Sequence, residues 1–156
     1  MTQDARFEDG REAPLNLGAM EPADLEVISS LVQDAVFPAS EMKWERKNQR
    51  FALPVNRVRW EDQGKTRHAP ERVQSVLVIS NVQGVASQAI PKGDADTILS
   101  LLTLSFEETD APSGHLTLTL AGDGALRLAV EALEVSLKDV TKPYIAPSKK
   151  LPQHPE

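Results

Sequence analysis

The stretch Leu116-Thr-Leu-Thr-Leu-Ala-Gly-Asp-Gly-Ala-Leu-Arg-Leu-Ala-Val130 decides the fold. Leucine or valine occupies every second position on both sides of a glycine-containing turn at 121–124. Such alternation is typical of half-buried β-strands, and a short turn with two glycines favours a hairpin. The stretch therefore predicts two antiparallel strands, each with one face toward a core.

A second hairpin is predicted upstream. Met42-Lys-Trp-Glu45 alternates apolar and charged residues, a polar run follows at 46–49, and apolar residues alternate again at 51–55. Short apolar runs at 73–79, 82–90 and 102–106 also have strand character, and the first of them is apolar on both faces. We therefore expect a mainly antiparallel sheet in which residues 73–79 are central.

The apolar phase changes within the strand that begins at residue 51. Apolar residues are odd-numbered up to Val55, whereas Val58 and Trp60 are even-numbered. Because a shift of one residue moves side chains to the other face of a sheet, we expect a bulge or bend near residues 56–57. Arg57 and Arg59 would then lie on the face opposite Val58 and Trp60.

One segment has a helical period. Pro22 suits the first position of a helix, and Asp24 suits the positive end of its dipole. The apolar residues recur at spacings of three and four: Leu25, Ile28, Leu31, Val32 and Ala35. The pattern predicts an amphipathic helix over residues 22–35 with one face on the sheet.

Residues 130–140 fit two structures. Leu133, Val135 and Leu137 alternate as in a strand, whereas Val130, Leu133, Leu137 and Val140 have helical spacing. The β-rich surroundings favour a strand, and a C-terminal helix packed on the sheet is the alternative.

These elements predict a single α+β domain at residues 15–144, flanked by a disordered tail at 1–14 and a proline-rich extended tail at 145–156. Its fold would be a mainly antiparallel sheet or half-barrel of about seven strands with one N-terminal amphipathic helix. A pleckstrin-like barrel is the specific form that this strand count allows.

Composition excludes several functions. The chain has 23 acidic and 17 basic residues and a formal charge of −6, which argues against nucleic acid as a partner. No apolar run approaches the roughly 20 residues needed to span a bilayer, and no export signal is evident, so we expect a cytoplasmic protein without membrane contact. Cysteine is absent and the three histidines lie far apart, so we expect no metal and no cofactor.

The candidate site with a specific chemistry is a group of arginines. Arg57 and Arg59 lie two residues apart, with Arg50 on the same predicted strand. Two guanidinium groups on one strand face can bind a carboxylate or phosphate through forked hydrogen bonds. The alternative is a solvated outer face whose charge is balanced by Glu45 and Glu61.

His115 is the candidate acid or base. It begins a predicted strand, and Glu107 and Asp110 flank the same predicted turn. A carboxylate folded close to the imidazole could support proton transfer, although a histidine at a loop edge has this setting without any such role.

The chain resembles an uncharacterised alphaproteobacterial family, domain of unknown function 2948, over about residues 15 to 148. The resemblance is carried by the helix at 23–36, by Arg50-Phe-Ala-Leu53 and Asn56-Arg-Val-Arg-Trp-Glu61, and by the segments 99–106 and 124–131. It implies a cytoplasmic bacterial protein, and it implies no reaction, cofactor or catalytic residue.

The sequence favours a non-enzymatic binding or adaptor module that engages another protein. The reasons are the missing catalytic constellation, the sheet edges that such a fold offers, and the two polar tails. The alternative is an anionic-metabolite binder or enzyme that uses Arg57, Arg59 and His115. A deep pocket with convergent polar groups would distinguish the second from the first.

Overall fold

The computed structural model describes residues 14–60, 71–90, 97–141 and 144–145. These residues form one α-helix and one sheet of eleven strands in which every pairing is antiparallel. In chain order the elements are β1 Asn16–Ala19, α1 Pro22–Leu31, β2 Val36–Pro38, β3 Lys43–Glu45, β4 Arg50–Val58, β5 Glu71–Ile79, β6 Val82–Gln88, β7 Ile98–Glu108, β8 Gly114–Leu120, β9 Ala125–Val130, β10 Val135–Asp139 and β11 Tyr144–Ile145. The predicted α+β class is confirmed. The predicted count of about seven strands is wrong, because very short segments outside the predicted runs, such as β2 and β11, also pair.

The strands follow the order β1-β10-β5-β4-β2-β7-β8-β9-β6, with β3 paired to β4 and β11 paired to β5. The described sheet is not closed, and its end strands are β1 and β6. A closed pleckstrin-like barrel is therefore not found among the described residues, and the one described helix precedes most of the sheet. The pairing confirms a mainly antiparallel, open sheet.

Both predicted hairpins are confirmed, and so is the central position of β5. β8 pairs with β9, β3 pairs with β4, and β5 lies between β4 and β10. The β8–β9 turn contains Gly122 and Asp123 with φ angles of 81° and 70°. Glycine adopts such positive angles without steric cost, which is why this segment reverses so tightly.

Within residues 130–140 the structure has a strand, β10, as the β-rich surroundings favoured, and no helix. β10 pairs with β1 on one side and β5 on the other. After β10 the chain returns to the sheet, because β11 pairs with Arg72 and Glu71 of β5. The predicted boundary at residue 144 falls within β11, and most of both predicted tails lies outside the described residues.

Helix α1 is shorter than the sequence predicts. It ends at Leu31, and three residues later Asp34 has a φ of 65°. A left-handed residue cannot continue an α-helix, so the last part of the apolar stripe belongs to the turn that leads to β2. The stripe nonetheless faces the core: Leu25, Ile28, Val32 and Ala35 are all buried.

The expected bulge at residues 56–57 is wrong. The register of β4 with β5 runs without a shift from Phe51 opposite Ile79 to Val58 opposite Arg72. The odd-numbered side chains from Phe51 to Arg57 therefore share one face of β4, with Arg57 next after Val55. Val58 is also buried, at 1% exposed, as the sequence predicts, but without a bulge. The register shifts occur elsewhere, between Leu101 and Thr103 and between Val82 and Gly84.

No helix in the described part of the chain has the length and apolar character needed to cross a membrane.

Candidate functional site

Three neighbouring strands place polar side chains on the core face of the sheet. Val55 on β4 is opposite Ser75 on β5, and Ser75 is opposite Asp139 on β10. Two residues earlier on β4 the cross-strand partners are apolar: Leu53 is opposite Leu77, and Leu77 is opposite Leu137. Arg57 follows Val55 on β4, so the core changes from apolar to polar at this end of the three strands.

Arg57, Ser75 and Asp139 form one hydrogen-bonded cluster, here called the polar layer. Arg57 Nη2 donates to Asp139 Oδ1 at 3.0 Å and to Oδ2 at 3.2 Å. Arg57 Nε donates to Ser75 Oγ at 3.0 Å, and Ser75 Oγ donates to Asp139 Oδ1 at 2.6 Å. The side chains of Arg57 and Asp139 are 0% and 3% exposed, so both charges are removed from water and depend on each other.

The polar layer also holds the beginning of the described domain. The Leu15 backbone N–H donates to Asp139 Oδ2 at 2.9 Å, and the Asp139 N–H donates to the Leu15 carbonyl at 2.9 Å. The Asp139 carboxylate is thereby hydrogen-bonded to Leu15, just before β1, to Ser75 on β5 and to Arg57 on β4. This arrangement satisfies the buried charge and fixes the relative positions of these strands.

Arg59 forms a second ion pair just beyond the end of β4. Its Nη1 lies 2.6 Å from Glu71 Oε1, and its backbone N–H donates to the Glu71 carbonyl at 2.9 Å. The side chains of Arg59 and Glu71 are 5% and 24% exposed. Burial of Arg57 and Arg59 shows that a solvated outer face is the wrong description of these two residues.

The predicted anion-binding group is thus divided by the fold. Arg57 and Arg59 each contact a carboxylate of the protein itself, whereas Arg50 lies at the other end of β4 and pairs with Glu45 at 3.4 Å on the surface. An external carboxylate or phosphate would have to displace Asp139 or Glu71 from a buried guanidinium group. Arg57 and Arg59 therefore do not form an open pair of guanidinium groups.

His115 and Glu107 are direct partners across the β7–β8 pair. The imidazole is half-buried and Glu107 is exposed, as is Asp110 in the turn between the strands. No hydrogen bond between His115 and either carboxylate occurs in this structure. In the described part of the chain no group of three or more acidic or histidine side chains is arranged to hold a metal ion.

Two of the surface grooves that described residues line lie away from Arg57, Arg59 and His115. One, of about 240 Å³, lies beside β2 and is lined by residues that include Phe37, Pro54 and Ile98. The other, of about 380 Å³, lies beside β1 and has Glu21, Asp24 and Glu134 in its wall. Both are open to solvent.

The end strand β6 has the features of an accessible sheet edge. Within residues 14–60, 71–90, 97–141 and 144–145, it pairs with β9 and has no strand on its other side. Gln83, Ala86, Ser87 and Gln88 are exposed, and a Cβ added at Gly84 would meet nothing within 4 Å. On an edge strand every second residue directs its N–H and C=O away from the sheet, where another chain can bond to them.

Sequence reasoning missed the partners of Arg57 and the edge position of β6. Ser75 interrupts the apolar series Val73, Leu77 and Ile79, and Asp139 continues the series Val135 and Leu137. A polar residue at a core-facing position requires a partner, so these two interruptions were the available signal. The position of β6 depends on the order of distant strands, for which local sequence has no comparable signal.

The fold and the site together define a class: an α+β domain with one antiparallel sheet, an ion pair inside it, and an uncharged strand at one end. Residues 15–154 match the model of a family described as "Protein of unknown function (DUF2948)", and the chain belongs to this family. The resemblance to domain of unknown function 2948 is confirmed. Neither the curated proteins nor the solved structures include a significant match.

Proposed function

We propose that this protein is a non-enzymatic binding module that engages another protein through the edge of β6. The observation that carries the proposal is the position of β6 at the end of the described sheet, with backbone groups directed away from β9. An extended segment of a partner would add one strand to the sheet. In this mode of recognition, main-chain hydrogen bonds supply affinity and neighbouring side chains supply specificity.

The composition of β6 supports the proposal. Natural edge strands are usually protected by charged side chains, by proline or by a bulge. The sequence Val82-Gln-Gly-Val-Ala-Ser-Gln88 has no charged residue and no proline, and its register shift lies between Val82 and Gly84. Residues 85–88 keep a regular register with β9, so they are a continuous template for an incoming strand.

The anionic-metabolite alternative has weaker support. It depends on Arg57 and Arg59, and both contact internal carboxylates in a part of the molecule that is almost fully buried. An external anion would have to displace these carboxylates, whereas a partner strand at β6 would displace no ion pair. As part of the same proposal we take the protein to act in the bacterial cytoplasm, as the family resemblance in the sequence implies.

Two single-proline variants test strand addition, Ala86→Pro and Ser87→Pro. Adjacent N–H groups on a strand point to opposite edges, so one proline removes a hydrogen bond to β9 and the other removes a donor from the open edge. The Leu120 N–H bonds to the Gly124 carbonyl, so alternation along β9 directs the Ala86 N–H to β9 and the Ser87 N–H to the open edge. Ser87→Pro should therefore keep the melting temperature of the wild type far better than Ala86→Pro. Ser87→Pro serves as the edge-blocked protein.

The measurement is affinity purification from the native cell, followed by mass spectrometry and by titration of each purified partner. We expect a partner that binds the wild type and loses at least about tenfold in affinity for the edge-blocked variant, a loss of about 1.4 kcal/mol. Equal binding of every partner to both proteins would reject the edge as the binding surface. A partner lost only when His115→Ala or Arg59→Ala is introduced would favour the alternative site.

A further inference from the structure

We infer that the segment bound by β6 is acidic: an extended peptide of a partner protein, with aspartate or glutamate among its side chains. This inference rests on the proposed function and adds the chemistry of the partner. It derives from the charges that surround the open edge of β6.

A basic turn lies at the beginning of that edge. Residues Arg46–Asn48 form a single 3-10 turn between β3 and β4, here called the basic turn. The Val82 N–H at the beginning of β6 donates to the carbonyl of Gln49, the residue after the basic turn, at 2.8 Å. This bond occupies the Val82 N–H, so the unpaired part of the β6 edge begins after Val82, next to Gln49. A strand added to β6 would therefore have one end beside the basic turn.

The charge of this region is opposite to that of the whole chain. Residues 43–50 contain Lys43, Arg46, Lys47 and Arg50 against the single acidic residue Glu45, whereas the chain carries 23 acidic and 17 basic residues. All four basic residues are exposed. In the described structure only Arg50 among them forms an ion pair, with Glu45 at 3.4 Å. The remaining charges are available to a carboxylate on an added strand.

A further positive charge lies along the strand. Arg127 on β9 is opposite Ala86 and is exposed. Strands in a sheet are about 4.8 Å apart, so an added strand would lie about 10 Å from β9, with only the methyl group of Ala86 between them on this face. An arginine side chain is long enough to approach a carboxylate on that strand. β6 itself has no acidic residue that would repel one.

The other end of the sheet has the opposite charge and supplies the internal control. The groove beside β1 is lined by Glu21, Asp24 and Glu134. An acidic peptide should therefore avoid this edge. The same contrast makes a second copy of the chain the main rival occupant, because the acidic surroundings of β1 in one copy could meet the basic turn of another in a head-to-tail contact.

The experiment uses the full chain and three fluorescein-labelled nine-residue peptides. Each peptide alternates valine with one polar residue, which is glutamate, glutamine or lysine. Fluorescence anisotropy gives the dissociation constants at low and high salt. We expect the glutamate peptide to bind at least about tenfold more tightly than the glutamine peptide, the lysine peptide to bind least, and the difference to shrink at high salt.

Two exposed lysines give a matched pair of charge reversals. Lys47→Glu in the basic turn should remove most of the preference for the glutamate peptide, whereas Lys138→Glu on β10 should preserve it. Equal affinities for the glutamate and glutamine peptides, both reduced by the edge-blocking proline, would overturn the acidic partner and keep the proposed function. Peptide binding that ignores the edge-blocking proline would overturn both.

Two further measurements address rival occupants. Sedimentation velocity should show a monomer at the concentrations of the titration, and association that is abolished by the edge-blocking proline would assign the edge to a second copy. A single-stranded oligonucleotide of matched charge should bind more weakly than the glutamate peptide. Tighter binding of the oligonucleotide, lost in Lys47→Glu, would assign the basic turn to nucleic acid.

Discussion

The two ends of β4 carry arginines in opposite situations. Arg57, near the end of the strand, is fully buried and holds Asp139 and Ser75, whereas Arg50 and the basic turn at its beginning face solvent beside the open edge of β6. The buried group contributes to the structure because its partners are inside the protein. The exposed group is suited to recognition because its partners can come from outside. The residue type, arginine, is the same at both ends, so the difference follows from burial and from the partners of each side chain.

The largest effect is expected from breaking the polar layer. Asp139→Ala should destabilise the protein by about 3 to 5 kcal/mol, because it leaves the Arg57 guanidinium buried without its carboxylate. Urea denaturation followed by circular dichroism measures the loss. A change below about 1 kcal/mol would show that water or another group replaces the carboxylate.

A triple variant separates the cost of an unpaired charge from the need for a polar layer. Arg57→Met, Ser75→Ala and Asp139→Leu together replace the cluster by apolar side chains, and this variant should recover most of the stability lost in Asp139→Ala. If it unfolds as easily as the single variant, the ion pair is required for the fold itself.

The next largest effect is expected when a substitution places a carboxylate without partners in the apolar part of the core. Ile28→Asp should cost about 3 kcal/mol, because Ile28 is 1% exposed and faces the sheet. Val27→Asp, at a helix position that is 52% exposed, should change stability by less than about 0.5 kcal/mol. Ser29 is unsuitable as the control, since its hydroxyl accepts a hydrogen bond from the Leu104 N–H at 2.9 Å. Equal melting temperatures for the two variants would contradict the buried face of α1.

Breaking the partly exposed Arg59–Glu71 ion pair should cost less stability than a core substitution and more than a surface substitution. Glu71→Gln removes the charge opposite Arg59 and should cost about 1 kcal/mol, since the Glu71 side chain is 24% exposed and is partly screened by water. Lys47→Glu in the basic turn should alter stability by less than about 0.5 kcal/mol. Thermal melts of both variants test this order, and a larger loss for Lys47→Glu would place the basic turn among the structural charges.

The parts of the fold that the sequence predicts are those with local periodicity. The β8–β9 hairpin and the buried face of α1 follow directly from alternation and helical spacing. The end of α1 was misplaced because the left-handed Asp34 ends the helical path while the apolar stripe continues. The periodicity of apolar residues carries no signal for that change of backbone direction.

The error at Arg57 has a different origin. A charged residue was assigned to the outer face, and a bulge was then needed to bring Val58 and Trp60 to the core. In the structure Arg57 stays in the core because Ser75 and Asp139 lie on adjacent strands, and Trp60 is half-buried with its Nε1 donating to the Gln33 carbonyl at 2.9 Å. Burial of a charge depends on residues 18 and 82 positions away along the chain, which periodicity does not report.

The proposed recognition surface was beyond sequence reasoning for a similar reason. The run at 82–90 was expected to be a strand, and β6 at Val82–Gln88 confirms it. Its place at the end of the sheet follows from the order of nine strands along the sheet. The proximity of the basic turn to β6 depends on the same order.

Amide hydrogen exchange on β6 tests the central claim most directly. The full chain is measured alone and with the saturating glutamate peptide, and individual amides at 83–88 are followed. We predict that alternate amides of this strand, those directed away from β9, exchange more slowly when the peptide is bound, while amides of β1 are unchanged. Protection at β1, or unchanged exchange throughout β6 under saturation, would contradict the account.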